Sequence, residues 1–136
     1  FRKSLDKLPL EQAIESVADY WQSCPYAPYY LDPDAPESWP SPWELISENY
    51  YCDLAKALGM LYTLYFTTHG SSLDPEIRVY YDPVSMAQYN LLFVEQGKYV
   101  LNMEHDTVLN KTHIDTGKLK LKKTISTVDL GLEQLQ

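Results

Sequence analysis

The chain has one long and almost entirely apolar stretch, CDLAKALGMLYTLYF, which runs from Cys52 to Phe66. Its apolar residues recur at helical spacing in two adjacent stripes, one of Leu54, Leu58, Leu61 and Tyr65, the other of Ala57, Met60 and Leu64. A helix that is apolar on nearly all sides is buried in the middle of its domain. The stretch therefore predicts a buried central helix from about Tyr50 to Phe66, with Asn49 as its N-cap.

Two more helices are predicted on the N-terminal side of this stretch. From Pro9 to Gln22, apolar residues at spacings of three and four share one face. The run Ser41-Pro42-Trp43-Glu44 has the form of a capping box and opens a short helix to about Ser47. Between these helices, residues 23–42 contain six prolines and several aromatic residues, which indicates an irregular segment packed over the core.

The C-terminal half alternates like a β-sheet. Strands are predicted at 76–81, 89–95 and 98–103, the last two forming a hairpin at Gln96-Gly97, and a lysine-guarded edge strand is predicted at 118–122. The tail residues Val128, Leu130, Leu132 and Leu135 either finish a strand or begin a short docking helix. We therefore predict an α+β fold: N-terminal helices with one buried central helix, then an antiparallel sheet of four or five strands. We expect a single domain over 1–136, with a helical part at 1–70 and a β part at 75–126.

Composition narrows the functional classes. The chain has 136 residues and a net charge of -8, from 19 acidic and 11 basic residues, which argues against direct binding to nucleic acid. No apolar run reaches the roughly 18 residues of a membrane span, and no signal peptide precedes the first helix, so a soluble protein of the cytoplasm or a virion is expected. Cys24 and Cys52 are expected to be free thiols, with a single Cys24–Cys52 disulfide as the alternative, and no spacing predicts a metal or cofactor site.

Cys52 is the candidate catalytic residue of the chain, because of its predicted position at the start of the central helix. In the first turn of a buried helix, the helix dipole and free N–H groups favour a thiolate, which is how cysteine nucleophiles are activated. The alternative is that Cys52 is a small core residue, the commoner role for a lone buried cysteine.

The chain from about residue 39 to 103 resembles the core of the transglutaminase-like branch of the papain-like cysteine enzymes. The resemblance is carried by Trp39-Pro40-Ser41-Pro42-Trp43-Glu44-Leu45-Ile46, by Cys52-Asp53-Leu54-Ala55, and by the hairpin of Tyr89-Asn90-Leu91-Leu92-Phe93-Val94 with Tyr99-Val100-Leu101-Asn102. In that family a cysteine opens the central helix, a histidine follows at the start of the next strand, and an Asp or Asn ends the strand after it. The resemblance implies that Cys52 is in the nucleophile position.

The chain departs from the family pattern at the position of the general base, the histidine. Asn90 stands where the histidine is expected and Asn102 where the acidic partner is expected. An amide does not titrate and cannot take the thiol proton. The resemblance therefore implies a degenerate enzyme fold with Cys52, Asn90 and Asn102 as vestigial site residues, and His105 as the alternative base.

The sequence also resembles small proteins of tailed bacteriophages, which together with the missing histidine favours a non-catalytic protein. We expect a virion component or a phage-encoded binder of a host protein, with Tyr26, Tyr29, Tyr30, Trp39 and Trp43 as anchors. Its acidic surface would attract a basic protein partner, and an oligomer or larger assembly stays open. Two alternatives remain: a cysteine hydrolase or acyl transferase with Cys52 as nucleophile, and an acidic nucleic-acid mimic that inhibits a DNA-binding protein.

Overall fold

Helices come first along the chain. The computed structural model describes residues 9–26, 31, 35–48, 50–67, 73–95, 99–104, 107–110, 119–130 and 132. Within them, α1 spans Leu10–Gln22, a 3-10 turn spans Pro36–Ser38, α2 spans Pro42–Ile46 and α3 spans Asp53–Tyr65. The capping box of α2 forms as predicted, because the Ser41 hydroxyl accepts the Glu44 N–H while the Glu44 carboxylate accepts the Ser41 N–H.

The start of α3 corrects the prediction. The helix begins at Asp53 rather than near Tyr50, and its N-cap is Cys52 rather than Asn49. The physical reason is that the backbone before Cys52 pairs with another segment instead of forming a helical turn. The Tyr51 N–H donates to the Pro25 carbonyl at 2.9 Å, next to a parallel bridge between Tyr26 and Tyr51. Cys52 therefore keeps an extended backbone and lies before the first turn, not inside it.

An antiparallel sheet of five strands follows, in the order β4-β3-β2-β1-β5. Its strands are β1 Glu76–Tyr81, β2 Gln88–Val94, β3 Tyr99–Glu104, β4 Thr107–Asn110 and β5 Lys120–Ser126. The α+β fold and the sheet of four or five strands are thus confirmed. Strand β4 has no counterpart among the predicted strands, since four residues are too few to show a period of two. The lysine-bearing β5 is an edge strand, as expected.

The core lies between the helices and one face of the sheet. Helix α3 packs against α1 and against β1, β2 and β3, and eleven of its residues are buried. Each of these strands sends alternate apolar residues to this core: Ile77 and Val79, Leu92 and Val94, Tyr99 and Leu101. The opposite face carries a smaller buried cluster of Tyr80, Leu91, Phe93 and Val100. The sheet therefore fixes α3 above the middle strands.

The segment between α1 and α3 packs partly onto this core. Leu31 and Trp39 are buried, and the Tyr62 hydroxyl donates to the Pro40 carbonyl at 2.7 Å. Burial raises the pKa of Tyr62 to about 12. Tyr26 and Trp43, in contrast, are 66% and 76% exposed. Of the tail, Leu132 is buried and Leu130, the last residue of a turn at 127–130, packs against the core, while Leu135 lies outside the described residues.

Both cysteines are free thiols, as expected. Among the helices that the structure describes, none is long and apolar enough to cross a membrane.

The close contact between α1 and α3 generates a stability prediction. A Cβ added at Gly59 would lie 2.5 Å from the Trp21 ring, so we expect Gly59→Ala to lower the free energy of unfolding by about 1 to 3 kcal/mol, despite the better helix propensity of alanine. Denaturant unfolding measures it. In a Trp21→Leu background the same substitution should cost much less; an equal cost in both backgrounds would contradict the contact as its cause.

Candidate functional site

The first residue of α3 holds a half-buried carboxylate against the sheet. Asp53 Oδ2 accepts a hydrogen bond from Asn90 Nδ2 on β2 at 2.8 Å, and Asp53 Oδ1 accepts one from Asn102 Nδ2 on β3 at 3.2 Å. The same Asn102 amide lies 3.2 Å from the Asp53 carbonyl and 2.9 Å from the Asn90 carbonyl. An acid in the first turn also gains from the positive end of the helix dipole. Asp53 thus joins the helix to two strands.

Two glutamines extend this arrangement. Gln22, the last residue of α1, donates from Nε2 to Asn102 Oδ1 at 2.6 Å, and Gln88 at the start of β2 donates from Nε2 to Asn90 Oδ1 at 3.0 Å. We call Gln22, Gln88, Asn90 and Asn102 the amide cluster. The hydrogen bonds between these side chains run toward Asp53, since each asparagine side chain accepts from a glutamine and donates to the carboxylate. The carboxylate therefore sets the orientation of the side chains around it.

Asn102 reaches the site because the backbone of β3 is irregular at this residue. Strict alternation would place its side chain on the same face as Val100, away from α3. Its φ of 70° is left-handed, and the pairing of β3 with β4 shifts register between Val100 and Glu104. Asparagine tolerates this conformation better than most residues. The kink turns the Asn102 amide to the helix side of the sheet.

Two members of the amide cluster, Gln88 and Asn90, line an open cleft together with Asp53. The cleft has a volume of about 340 Å³ and is lined by Tyr26, Asp53, Leu54, Gln88 and Asn90. Tyr26 contributes a largely exposed ring. Lys56, one turn after Asp53, is buried, and its Nζ donates to the Gln22 carbonyl at 3.1 Å and lies 6.0 Å from the centre of the Tyr26 ring.

Opposing effects act on the Asp53 carboxyl. Burial raises its pKa, because desolvation disfavours the charged form. The hydrogen bonds from Asn90 and Asn102 and the nearby Lys56 ammonium oppose this, but the net shift is upward. The amides therefore offset only part of the cost of placing a charge at this end of the helix.

Cys52 is buried and does not take part in the hydrogen bonds around Asp53. Its side chain is 1% exposed, and its Sγ accepts the Ala55 N–H at 3.4 Å as the N-cap of α3. Among the described residues, no hydrogen bond joins Cys52 to Asn90 or Asn102. The structure thus brings Asn90 and Asn102 together, but around Asp53 rather than around the thiol. His105 lies outside the described residues, so its role as the alternative base stays a prediction.

The five expected anchor residues are divided. Tyr26 lines the cleft, Trp43 is exposed on α2, and Trp39 is buried in the core. Tyr29 and Tyr30 lie outside the described residues.

The sequence interpretation gave no role to Asp53, Gln22, Gln88 or Lys56. One signal was available: Asp53 and Lys56 are the two charged residues of an otherwise apolar helix. Charges placed on a buried helix need partners, so they mark a site or a structural network. The donors Gln22 and Gln88 stand at the ends of elements, where polar residues are common and carry no such signal.

The amide side chains limit what the amide cluster itself can do chemically. Amide side chains donate and accept hydrogen bonds but do not transfer protons near neutral pH. Within the described part of the chain, no three His, Cys, Asp or Glu side chains are grouped so as to hold a metal ion.

No family model matches the chain, and no curated protein matches it. Two solved structures do, both of Legionella pneumophila LapG, which has the transglutaminase-like fold of cysteine proteases. The calcium-bound structure gives a TM-score of 0.68 at 18% identity, covering 91% of this chain and 69% of that one. The other gives 0.67 at 18% identity, covering 93% and 72%. The similarity confirms the predicted fold resemblance, and at this identity it shows the fold alone.

The half-buried carboxylate generates a pH prediction. Because the pKa of Asp53 is higher in the folded chain than in the unfolded one, its stabilising contribution is complete below the unfolded value and is lost as pH rises through the folded value. NMR of the carboxyl carbons should show Asp53 titrating above the usual range for aspartate. Glu44 is the internal contrast, because hydrogen bonds from Ser41 lower its pKa.

Asn90→Ala removes a donor and should raise the Asp53 pKa further. A pKa at or below that of an unfolded aspartate, or no change in Asn90→Ala, would contradict the balance of burial and hydrogen bonding.

Proposed function

We propose that this chain is a non-catalytic binding protein that uses a cysteine-protease fold to hold a segment of a partner protein in the cleft beside Asp53. The observation that carries the proposal is the bonding around the start of α3. The groups that meet there are a carboxylate and amides, while the Cys52 thiol is buried and caps the helix. A thiol used as a nucleophile needs both access to substrate and a proton acceptor.

The shape of the site supports binding of an extended segment. The cleft is open, its volume is at the small end of the range for ligand sites, and an exposed aromatic ring stands beside polar side chains. Exposed aromatic residues are enriched among the anchors of protein interfaces. We propose Tyr26 as the anchor in the cleft and Trp43 as a second contact on α2, and we leave out Trp39 because it is buried.

A role as a virion component or a phage-encoded binder of a host protein stays a prediction. The two similar solved structures are of a bacterial protein, and they give no support to a phage origin. The single domain over 1–136 and a soluble location in the virion or cytoplasm likewise remain part of the proposal.

The non-catalytic half of the proposal predicts an inert thiol. We expect Cys52 to react with iodoacetamide at neutral pH at least tenfold more slowly than free cysteine, and to become reactive on unfolding, because its Sγ is buried and accepts the Ala55 N–H. Mass spectrometry of the alkylated peptides measures the rates.

The matched control is a variant in which the thiol is at position 53 instead of position 52. In a variant with Cys24→Ser and Cys52→Ala, the substitution Asp53→Cys places a thiol in the wall of the cleft, where it should react much faster than Cys52 does in the wild type. If instead Cys52 of the folded wild type reacted faster than free cysteine, the cysteine hydrolase or acyl transferase would be the better assignment.

The binding half predicts a cleft-dependent ligand. We expect random short peptides selected on the wild-type protein to include binders that lose at least tenfold in affinity to Gln88→Trp, whose indole would fill the cleft. The same peptides should bind Val84→Trp normally, because Val84 is 91% exposed in the β1–β2 connection and does not line the cleft. Fluorescence anisotropy measures the affinities. Selected peptides that bind all three proteins equally would exclude the cleft as the site.

A further inference from the structure

The amide cluster leaves mainly hydrogen-bond acceptors in the cleft. The Nε2 group of Gln88 donates to Asn90, and the Nδ2 group of Asn90 donates to Asp53. An amide has one donor nitrogen and one acceptor oxygen, so a glutamine whose nitrogen is directed inward has its oxygen left for another partner. A carboxylate has about four acceptor sites, and the side chains of Asn90 and Asn102 fill two of them. The Asp53 and Gln88 oxygens can therefore accept hydrogen bonds from a ligand that supplies donors.

Among the described residues, no cation forms an ion pair with the Asp53 carboxylate. Among the residues that the structure describes, the ion pair formed is Arg78 with Glu76, on β1. The Lys56 ammonium donates to the Gln22 carbonyl, lies 6.0 Å from the centre of the Tyr26 ring and acts on Asp53 at longer range, so it leaves the exposed part of the ring accessible and the Asp53 carboxylate without a direct ion pair. Burial raises the pKa of the Asp53 carboxyl, and a bound cation would offset this cost of desolvation. The site is thus complementary to positive charge.

Tyr26 adds a preference for a flat cation. Its ring is 66% exposed and lines the same cleft as Asp53 and Gln88. A guanidinium group is planar, stacks on aromatic faces, and presents several N–H donors in a fork that matches a carboxylate. An ammonium has no flat face and is more strongly hydrated. The net charge of -8 would steer a basic segment toward the protein.

From these observations we infer that the cleft beside Asp53 binds the guanidinium group of an arginine side chain of the partner protein. Asp53 and the Gln88 side-chain oxygen accept the guanidinium donors, and the Tyr26 ring stacks on its plane. This inference rests on the proposed function and specifies the residue that the partner inserts.

The test compares two probes of nearly the same shape. N-acetyl-arginine methylamide and N-acetyl-citrulline methylamide differ in the charge of the terminal group, and each is titrated into the protein while side-chain amide resonances are followed by NMR. We expect the arginine probe to shift the Gln88 and Asn90 amide signals and to bind at least tenfold more tightly than the citrulline probe. Equal affinities, or shifts confined to other parts of the chain, would overturn the inference.

Variants separate the contributions of the cleft residues. Tyr26→Leu should weaken the arginine probe several-fold, and Gln88→Lys should weaken it at least tenfold by adding a like charge. Tyr50→Leu is the matched control, because Tyr50 is also exposed but does not line the cleft, and its affinity should equal that of the wild type. Thermal melts establish that each variant is folded. Unchanged affinity in both cleft variants would overturn the inference.

The source of the guanidinium and the parent proposal are tested separately. Free arginine should bind no more tightly than the blocked probe; much tighter binding would indicate an amino-acid ligand and overturn the assignment to a protein side chain. If the random peptides bind in the cleft but do not contain arginine, the proposed function stands and this inference fails. If no peptide binds in the cleft, the proposed function itself fails.

Discussion

Protein surrounds the Asp53 carboxylate on most sides, so it has lost much of its contact with water. The side-chain amides around it supply hydrogen bonds in place of that water. A carboxylate withdrawn from water is stable only if donors replace the lost hydration. Here they come from two strands, through Asn90 and Asn102, and each asparagine is held in turn by a glutamine. The left-handed backbone at Asn102 also contributes to this hydrogen bonding, because it brings the second donor to the helix side of the sheet.

The core and the site are joined through the end of α1. Trp21 packs against Gly59 and donates from its indole nitrogen to the Thr63 hydroxyl at 3.0 Å, which fixes α1 on α3. The next residue, Gln22, then donates to Asn102 with its side chain and accepts from Lys56 with its carbonyl. A change in how α1 sits on α3 would therefore move a donor of the amide cluster, so the packing of α1 and the geometry of the amide cluster are coupled through adjacent residues.

The fold was largely predictable because it rests on periodic patterns. The apolar stretch of α3, the capping box at Ser41, the alternation of β1 and the run of β-forming residues in β2 each depend on neighbours in sequence. The site was predictable only in part: the fold resemblance placed Asn90 and Asn102 opposite the helix, but it implied Cys52 as their partner. The observed partner of the two asparagines is Asp53, one residue after Cys52. The Tyr51 N–H donates to the Pro25 carbonyl, a contact between distant segments, and Cys52 is then the N-cap of α3. The kink at Asn102 likewise depends on pairing between strands, which no local pattern reports.

An amide cluster in place of an imidazole changes how a site responds to its surroundings. Imidazoles gain or lose a proton between about pH 5 and 8, so sites built on them respond to a change of pH within that interval. None of Gln22, Gln88, Asn90 and Asn102 ionises in that interval. The amides therefore keep their own donors and acceptors throughout it, and a change in the hydrogen bonding around the start of α3 has to come from protonation of Asp53, the carboxyl that orients them.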